Sequence, residues 1–204
     1  MPLQPLVALA VFLGAAALVA RGAAAHHPFP RFGPANWVTT LRLALTAAVA
    51  GLVVGPFTAT TAWIAIALTT AAGLLDTVDG RLARRSGLSS TFGARFDMET
   101  DALLILLLSV LAWLHGKAGE WVLLCGLMRY ALVAAGWLWP WLGGPLRSTT
   151  RGKAVAALQL VGLGVALGPI VAVPISTGVA GATLPALTWS FALDVAWLAR
   201  QPAR

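Results

Sequence analysis

The acidic residues of this chain are few, and most of them lie close together. Asp and Glu total seven among 204 residues, and residues 76–101 hold five of them: Asp76, Asp79, Asp97, Glu99 and Asp101. Carboxylate oxygens are the ligands that Mg²⁺ and Mn²⁺ prefer, so two or three of these side chains could bind divalent cations. A group of like charges also stabilises the protonated form of at least one member, which suits a general base. The cluster therefore indicates metal-dependent acid–base chemistry.

The spacing of the four aspartates predicts where they meet. Asp76 and Asp79 are three residues apart, and Asp97 and Asp101 are four apart, so each pair lies on one face of a helix. Residues 85–92 predict a short connection, and a helical hairpin built on it brings the two faces together. We therefore expect four carboxylates at one depth, near the joined ends of two helices.

Small residues accompany the acidic ones. Gly80 and Ala83 share the acidic face of the first helix, and Gly93 lies one turn before Asp97. These residues leave room for a ligand to lie against the backbone, and Arg84 is beside them. A cavity with metals, small residues and an arginine suits a diphosphate.

The rest of the sequence indicates which elements position these residues. Hydrophobic residues make up 59% of the chain and charged residues 10%, with a mean hydropathy of +0.84. A soluble domain carries about 25% charged residues and a disordered chain has low hydrophobicity, so both classes are excluded. Apolar blocks of roughly the twenty residues that span a bilayer lie at 5–20, 37–55, 61–83, 97–114, 119–142, 154–175 and 178–199. They lack the alternation of strands, which predicts an all-α, polytopic integral membrane protein.

Basic residues lie at alternate joints between these blocks. The formal net charge is +7, but the cations do not form an amphipathic face, which argues against nucleic-acid binding. Their alternation follows the positive-inside rule and predicts that the acidic cluster and the C-terminus are cytoplasmic. The expected location is a bacterial inner membrane. The one cysteine, Cys125, excludes an internal disulfide.

Three regions are predicted along the chain. Residues 1–22 form an additional N-terminal apolar helix, residues 23–35 an interfacial connector, and residues 36–204 a six-helix domain. A signal peptide is the alternative for residues 1–22. No Lys or Arg precedes Arg21, however, and a signal peptide begins with a basic region.

Residues 76–101 also carry a motif. They read D-T-V-D-G-R-L-A-R, then eight residues, then G-A-R-F-D-M-E-T-D. This resembles the CDP-alcohol phosphotransferase motif D-x2-D-G-x2-A-R-x8-G-x3-D-x3-D at every specified position. Asn36, Thr39 and Arg42 resemble the N-x2-T-x2-R that often opens the first core helix of this family. The resemblance covers residues 31–204 and implies a six-helix core and, as is common in the family, a homodimer.

The resemblance implies a reaction and a role for each matching residue. An alcohol hydroxyl would attack the lipid-side phosphorus of a CDP-linked lipid, expected to be CDP-diacylglycerol, and release CMP. Asp76, Asp79 and Asp97 would ligate two Mg²⁺ or Mn²⁺ ions that hold the diphosphate. Asp101 would be the general base and a further ligand. The nucleotide would lie against six residues: Asn36, Thr39, Gly80, Ala83, Arg84 and Gly93.

Basic residues of the second half are candidates for binding the acceptor alcohol, because the family often has a basic acceptor pocket there. They are Arg129, Arg147, Arg151 and Lys153. Positive-inside topology is the alternative for residues 147–153, and a structural pair with Asp194 is the alternative for Arg129. The cations slightly favour a phosphorylated polyol, such as glycerol 3-phosphate or inositol phosphate.

Serine, choline and other alcohols stay open as acceptors. The sequence after Asp97 is Met-Glu-Thr-Asp. It lacks the Pro and Lys that often follow this aspartate in family members that make phosphatidylglycerol phosphate.

Three other interpretations fit parts of the pattern. The acids could form an interfacial charge network with the arginines at positions 81, 84, 85 and 95. An intramembrane prenyltransferase also holds a diphosphate through Mg²⁺ and aspartates, but it would need two acidic motifs far apart, and the later blocks hold only Glu120 and Asp194. A divalent-cation transporter or channel would place its acids near the bilayer midplane rather than beside arginines at a helix end.

Overall fold

Helices form nearly all of the structure. The computed structural model describes residues 3–29, 31–86, 88–144, 146 and 149–201, without the side chains of residues 79–81 and 83–86. The α-helices of this part of the chain are α1 Leu3–His26, α2 Pro34–Val53, α3 Ala59–Ser86, α4 Thr91–Leu114, α5 Leu123–Leu138, α6 Thr150–Leu167 and α7 Val173–Ala199. Short 3₁₀ helices at Glu120–Val122 and Pro140–Gly143 flank α5. The chain is 84% helical, without a strand in the described ranges, which confirms the predicted all-α class.

Five described segments are long and apolar enough to cross a membrane: Leu3–His26, Pro34–Val53, Ala59–Val78, Glu120–Leu138 and Val173–Ala199. The other two helices begin with charged residues, which include Asp97 and Asp101 on α4 and Lys153 on α6. These charged residues lower the mean hydropathy of the two helices.

The N-terminal helix is longer than expected, and the connector is shorter. α1 continues through His26, beyond the predicted end at residue 22. The remaining connector packs aromatic rings against the start of α4. The ring centroids of His27 and Phe32 lie 5.4 Å and 6.5 Å from that of Phe92. The connector therefore contacts the helix that carries two of the aspartates.

The sixth apolar block is divided where its pattern predicts a continuous span. The pattern extends to residue 175, but α6 ends at Leu167 and α7 already begins at Val173. Gly168 and Pro169 explain the break, because glycine is a weak helix former and an internal proline removes a helix hydrogen bond.

Lys117 holds this break in place from the turn after α4. Its Nζ donates to the carbonyl oxygens of Gly168 at 2.8 Å and Val171 at 2.7 Å. Ser176 Oγ in turn donates to the Lys117 carbonyl oxygen at 2.6 Å. Backbone carbonyls freed at the end of α6 therefore gain a cationic partner, as buried backbone acceptors require.

Two helices that reach the site begin with a hydroxyl cap. Ser90 Oγ accepts a hydrogen bond from the Gly93 amide at the start of α4, and Thr149 Oγ1 accepts one from the Gly152 amide at the start of α6, both at 3.0 Å. Such a cap stabilises a helix by about 1 kcal/mol. The caps define the helix starts that precede the charged residues of α4 and α6.

α4 lies at the centre of the bundle. It packs against α2, α5 and α6, and Leu104, Leu108 and Leu111 along it are buried. Small residues permit close crossings between membrane helices. Gly126 of α5 faces the backbone of α4 in this way, at Leu106.

Candidate active site

Three of the predicted carboxylates converge at one point. Asp76 lies on α3, and Asp97 and Asp101 lie one turn apart on α4. One oxygen atom from each carboxylate lies within 4.8 Å of the others. The spacing in the sequence predicts this meeting of two helix faces, and the structure shows it for these three residues.

Several predicted site residues fall outside the described part of the structure. Asp79, Gly80, Ala83 and Arg84 lie on the helical backbone of α3, but their side chains are not described. Arg147 is also outside the described residues. Their roles stay predictions.

The guanidinium of Arg42, on α2, lies among the three carboxylates. Its Nη1 is 2.9 Å from Asp76 Oδ1. Nη1 also donates to Asp97 Oδ1, and Nη2 donates to Asp101 Oδ1. Arg42 is only 1% exposed, so carboxylates stabilise its charge in place of water, as a buried charge requires. One side chain of α2 thereby connects α3 with α4.

The sequence predicts the arginines near residues 81–95, and not Arg42, as possible partners of the acids. Of those four, Arg95 is the one whose side chain is described; it is exposed and forms no ion pair with another described residue. A signal for Arg42 was present, because a lone arginine between Leu41 and Leu43 in an apolar helix is costly unless it is paired or used.

Asn36 and Thr39 share the buried face of α2 with Arg42. They are 5% and 3% exposed, and Asn36 Nδ2 donates to the Phe32 carbonyl oxygen. A Cβ atom added to Gly93 of α4 would lie 2.9 Å from Asn36 Oδ1. Glycine at position 93 therefore permits the close approach of α2 and α4 beside the carboxylates.

A cavity of about 450 Å³ lies beside the acidic cluster. α2 and α4 contribute one part of its lining: Asn36, Thr39, Gly93, Asp97 and Asp101. α5, α6 and α7 contribute another, which includes Arg129, Lys153, Ser190 and Asp194. This volume falls within the roughly 300–1,000 Å³ of small-molecule sites. The cavity thus brings some predicted metal, nucleotide and acceptor residues around one space, whereas Asp76 and Arg151 are not among the described residues that line it.

Two of the candidate acceptor-binding cations form ion pairs. Arg129 of α5 donates to Glu99 of α4, and Arg151 of α6 donates to Asp194 of α7. The alternative pairing of Arg129 with Asp194 is therefore wrong. Arg129 faces the neighbouring helix α4, while Asp194 lies where α6 packs against α7. The Arg151 guanidinium also lies 5.8 Å from the centroid of the Trp189 ring, a cation–π distance.

Lys153 differs from the two arginines. It lines the cavity, is exposed, and has no ion pair among the described residues. An ammonium group therefore faces the same space as the acidic cluster.

These features define a class: an all-helical membrane protein in which clustered carboxylates and separate cations surround a cavity fit for a small polar ligand. The chain belongs to the CDP-alcohol phosphatidyltransferase family, because the model of that family matches residues 32–195. The family consists of transferases that move a phosphatidyl group from a CDP-alcohol to an alcohol. The match confirms the resemblance and favours the transferase over the prenyltransferase and the cation transporter.

The matched range contains every described residue of the carboxylate cluster and of the cavity lining, and it leaves all of α1 and most of the connector outside. Comparisons with curated proteins and with solved structures give no match.

Proposed function

We propose that this protein transfers the phosphatidyl group of CDP-diacylglycerol to the hydroxyl of a small polar alcohol and releases CMP, in a reaction that depends on Mg²⁺ or Mn²⁺. The observation that carries the proposal is the convergence of Asp76, Asp97 and Asp101, with oxygens within 4.8 Å of one another, beside a cavity. Family membership supplies the reaction class.

The donor set fits a divalent metal. Carboxylate oxygens are hard donors that suit Mg²⁺ and Mn²⁺, and α3 and α4 supply three in reach of one ion. Asp79, on the same face of α3 by its spacing, is the proposed fourth ligand, and together the four would hold two ions. Bound ions would supply positive charge to hold the diphosphate and to stabilise the charge that develops on the departing CMP.

Asp101 is the proposed general base. It lines the cavity, where a hydroxyl could lie within hydrogen-bond reach. The hydroxyl oxygen would form a bond to the lipid-side phosphorus while the bond from that phosphorus to the bridging oxygen breaks. The electron pair would leave with CMP, and the hydroxyl proton would go to Asp101. The transfer needs no further reactant.

The nucleotide would lie on the α2 side of the cavity. Asn36 and Thr39 present buried polar groups there, and Gly93 brings the α4 backbone close to them. By their positions in the motif, Gly80, Ala83 and Arg84 would contact the nucleotide from α3. The proposed nucleotide site is thus formed by α2, α3 and α4.

The acceptor alcohol would enter from the side of α5, α6 and α7. Arg129, Arg147, Arg151 and Lys153 are the proposed acceptor-binding residues. Because Arg129 and Arg151 already bond to carboxylates, Lys153 is the described cation most open to a new anionic partner. This slightly favours a phosphorylated polyol over a neutral alcohol.

Sidedness and organisation complete the proposal. The basic joints favour a site at the cytoplasmic face of the membrane, with a cytoplasmic C-terminus, and the membrane we propose is a bacterial inner membrane. The N-terminal helix α1 would be an addition to the six-helix catalytic domain at 36–204, the shortened connector would join the two along the interface, and two copies would form a homodimer.

A CMP-release assay tests the proposal. Detergent-purified protein with Mn²⁺ and CDP-diacylglycerol is offered a panel of alcohols: glycerol 3-phosphate, inositol phosphate, serine and choline. We expect CMP release with one acceptor and no release without any. Absence of CMP release with every member of a wide alcohol panel, from protein that is folded and metal-supplied, would contradict the proposal.

A further inference from the structure

Arg42 has the most heavily charged environment among the described side chains. It is buried, and its one guanidinium contacts three carboxylates that come from two helices. We infer that Arg42 is a positioning residue, which orients these carboxylates so that their remaining oxygens can ligate the metal ions. The inference rests on the proposed function, since it takes the aspartates to be metal ligands.

The chemistry of the side chain supports this role. Carboxylates this close repel one another, and a fixed cation beside them offsets the repulsion. The guanidinium is planar and has five N–H donors in a rigid fork, so it can bond several carboxylates in set directions. A lysine ammonium carries the same charge on a flexible stem, without that fork.

These three ion pairs are compatible with metal ligation by the same carboxylates. All three use an Oδ1 atom. A carboxylate has two oxygens with about four lone-pair sites, so an ion pair through one oxygen leaves the group able to ligate a cation. Groups that hydrogen-bond to metal ligands orient them, and loss of such a partner typically weakens metal binding by about 10–100-fold.

A competing interpretation is that Arg42 occupies the place of a metal ion and must be displaced. The two interpretations predict opposite effects. If Arg42 competes with metal, replacing it with an uncharged residue tightens metal binding. If Arg42 orients the ligands, the same replacement weakens metal binding, although a positive charge has been removed.

The test is direct Mn²⁺ binding, measured by electron paramagnetic resonance of free Mn²⁺ in titrations of the detergent-purified full chain without substrate. The variants are Arg42→Lys, which keeps the charge and loses the fork, and Arg42→Gln, which loses the charge. We expect both to bind Mn²⁺ about 10–100-fold more weakly than wild type. Arg95→Lys is the control: it makes the same change at an exposed arginine of α4 that forms no ion pair with another described residue, and it should leave the Mn²⁺ affinity unchanged.

Each outcome has a distinct meaning. Wild-type affinity in Arg42→Lys, or tighter binding in Arg42→Gln, would overturn the positioning role and leave the metal site standing. Failure of the wild-type protein to bind Mn²⁺ would overturn the metal site and the inference together.

A structure of the Mn²⁺-loaded wild-type protein provides the same test if the variants do not fold. We expect the Arg42 guanidinium to stay within hydrogen-bond distance of Asp97 and Asp101 while the ions bind other oxygens of the carboxylate cluster. An Arg42 side chain turned away from both would overturn the positioning role.

Discussion

Asn36 and Gly93 are in such close apposition that a single methyl group at position 93 would lie 2.9 Å from Asn36 Oδ1. This relationship joins α2 to α4 one turn before Asp97, at the edge of the cavity. The close contact explains why the motif has a glycine at position 93. A Cβ atom there would press on the Asn36 side chain, whose Nδ2 donates to the Phe32 carbonyl oxygen.

Gly93→Ala should therefore reduce activity by about tenfold or more, because overpacking at a tight contact typically costs about 1–3 kcal/mol. We expect the KM for the CDP-lipid to rise, since the methyl group enters the proposed nucleotide side. The measurement is steady-state CMP release. Gly164→Ala is the control, because an added Cβ there meets nothing within 4 Å. Equal kinetic constants for CMP release in Gly93→Ala and Gly164→Ala would contradict the predicted clash at position 93.

Asp101→Asn should abolish turnover while the protein stays folded. The amide keeps the shape of the side chain but cannot accept the hydroxyl proton, and general-base catalysis is worth about 10²–10⁴-fold. The measurement is single-turnover CMP release with saturating Mn²⁺, together with the melting temperature. Glu120→Gln changes an exposed acid in the 3₁₀ helix at Glu120–Val122 and should retain activity. Turnover near wild type in Asp101→Asn would remove the base assignment.

Arg151 and Asp194 should act as a unit that links α6 to α7. Both side chains are only partly exposed, 28% and 21%, so neutralising one leaves the other with a poorly solvated charge. Arg151→Gln and Asp194→Asn should each lower the melting temperature, and the double variant should lose less than the sum of the two. Coupled neighbours typically interact by about 0.5–3 kcal/mol. If the decreases in melting temperature are strictly additive, the Arg151–Asp194 ion pair contributes nothing to stability.

Lys117→Met should affect stability and not chemistry. The variant removes both ammonium hydrogen bonds to the carbonyls of Gly168 and Val171. Bonds to a charged group contribute about 1.5–3 kcal/mol each when buried, and Lys117 is part-buried, so we expect a loss of about 2 kcal/mol. The melting temperature should fall, while CMP release per folded molecule stays at the wild-type value. Loss of CMP release in folded Lys117→Met protein would show that this end of α4 is needed for the reaction.

The pattern of residues predicted much of the site, because helical periodicity is local. The spacing of Asp97 and Asp101 determines that they share a face, and the short connection after α3 predicts that Asp76 meets them. Arg42 precedes Asp97 by 55 positions and Asp101 by 59 positions in the chain. Their contact depends on how α2 packs against α4, which local spacing does not encode.

The same limit explains the other differences. The pairs Arg129–Glu99 and Arg151–Asp194 depend on which helices are neighbours, so Arg129 could be given the wrong partner from the sequence. The end of α6 at Leu167 depends partly on Lys117, a residue far away in the chain that bonds the freed carbonyls. The apolar blocks locate the described α-helices, five of which hold segments long and apolar enough to cross a membrane, but tertiary partners set some of the helix ends.

The metal dependence of CMP release is the decisive measurement for the proposed role of the four aspartates. The wild-type protein, treated with EDTA and then freed of the chelator, is assayed with CDP-diacylglycerol and its acceptor before and after Mn²⁺ is returned. We expect no CMP release without metal and full recovery with it, because Asp76, Asp79, Asp97 and Asp101 would hold the ions on which the transfer depends. Release that continues at the original rate after complete metal removal would contradict this role.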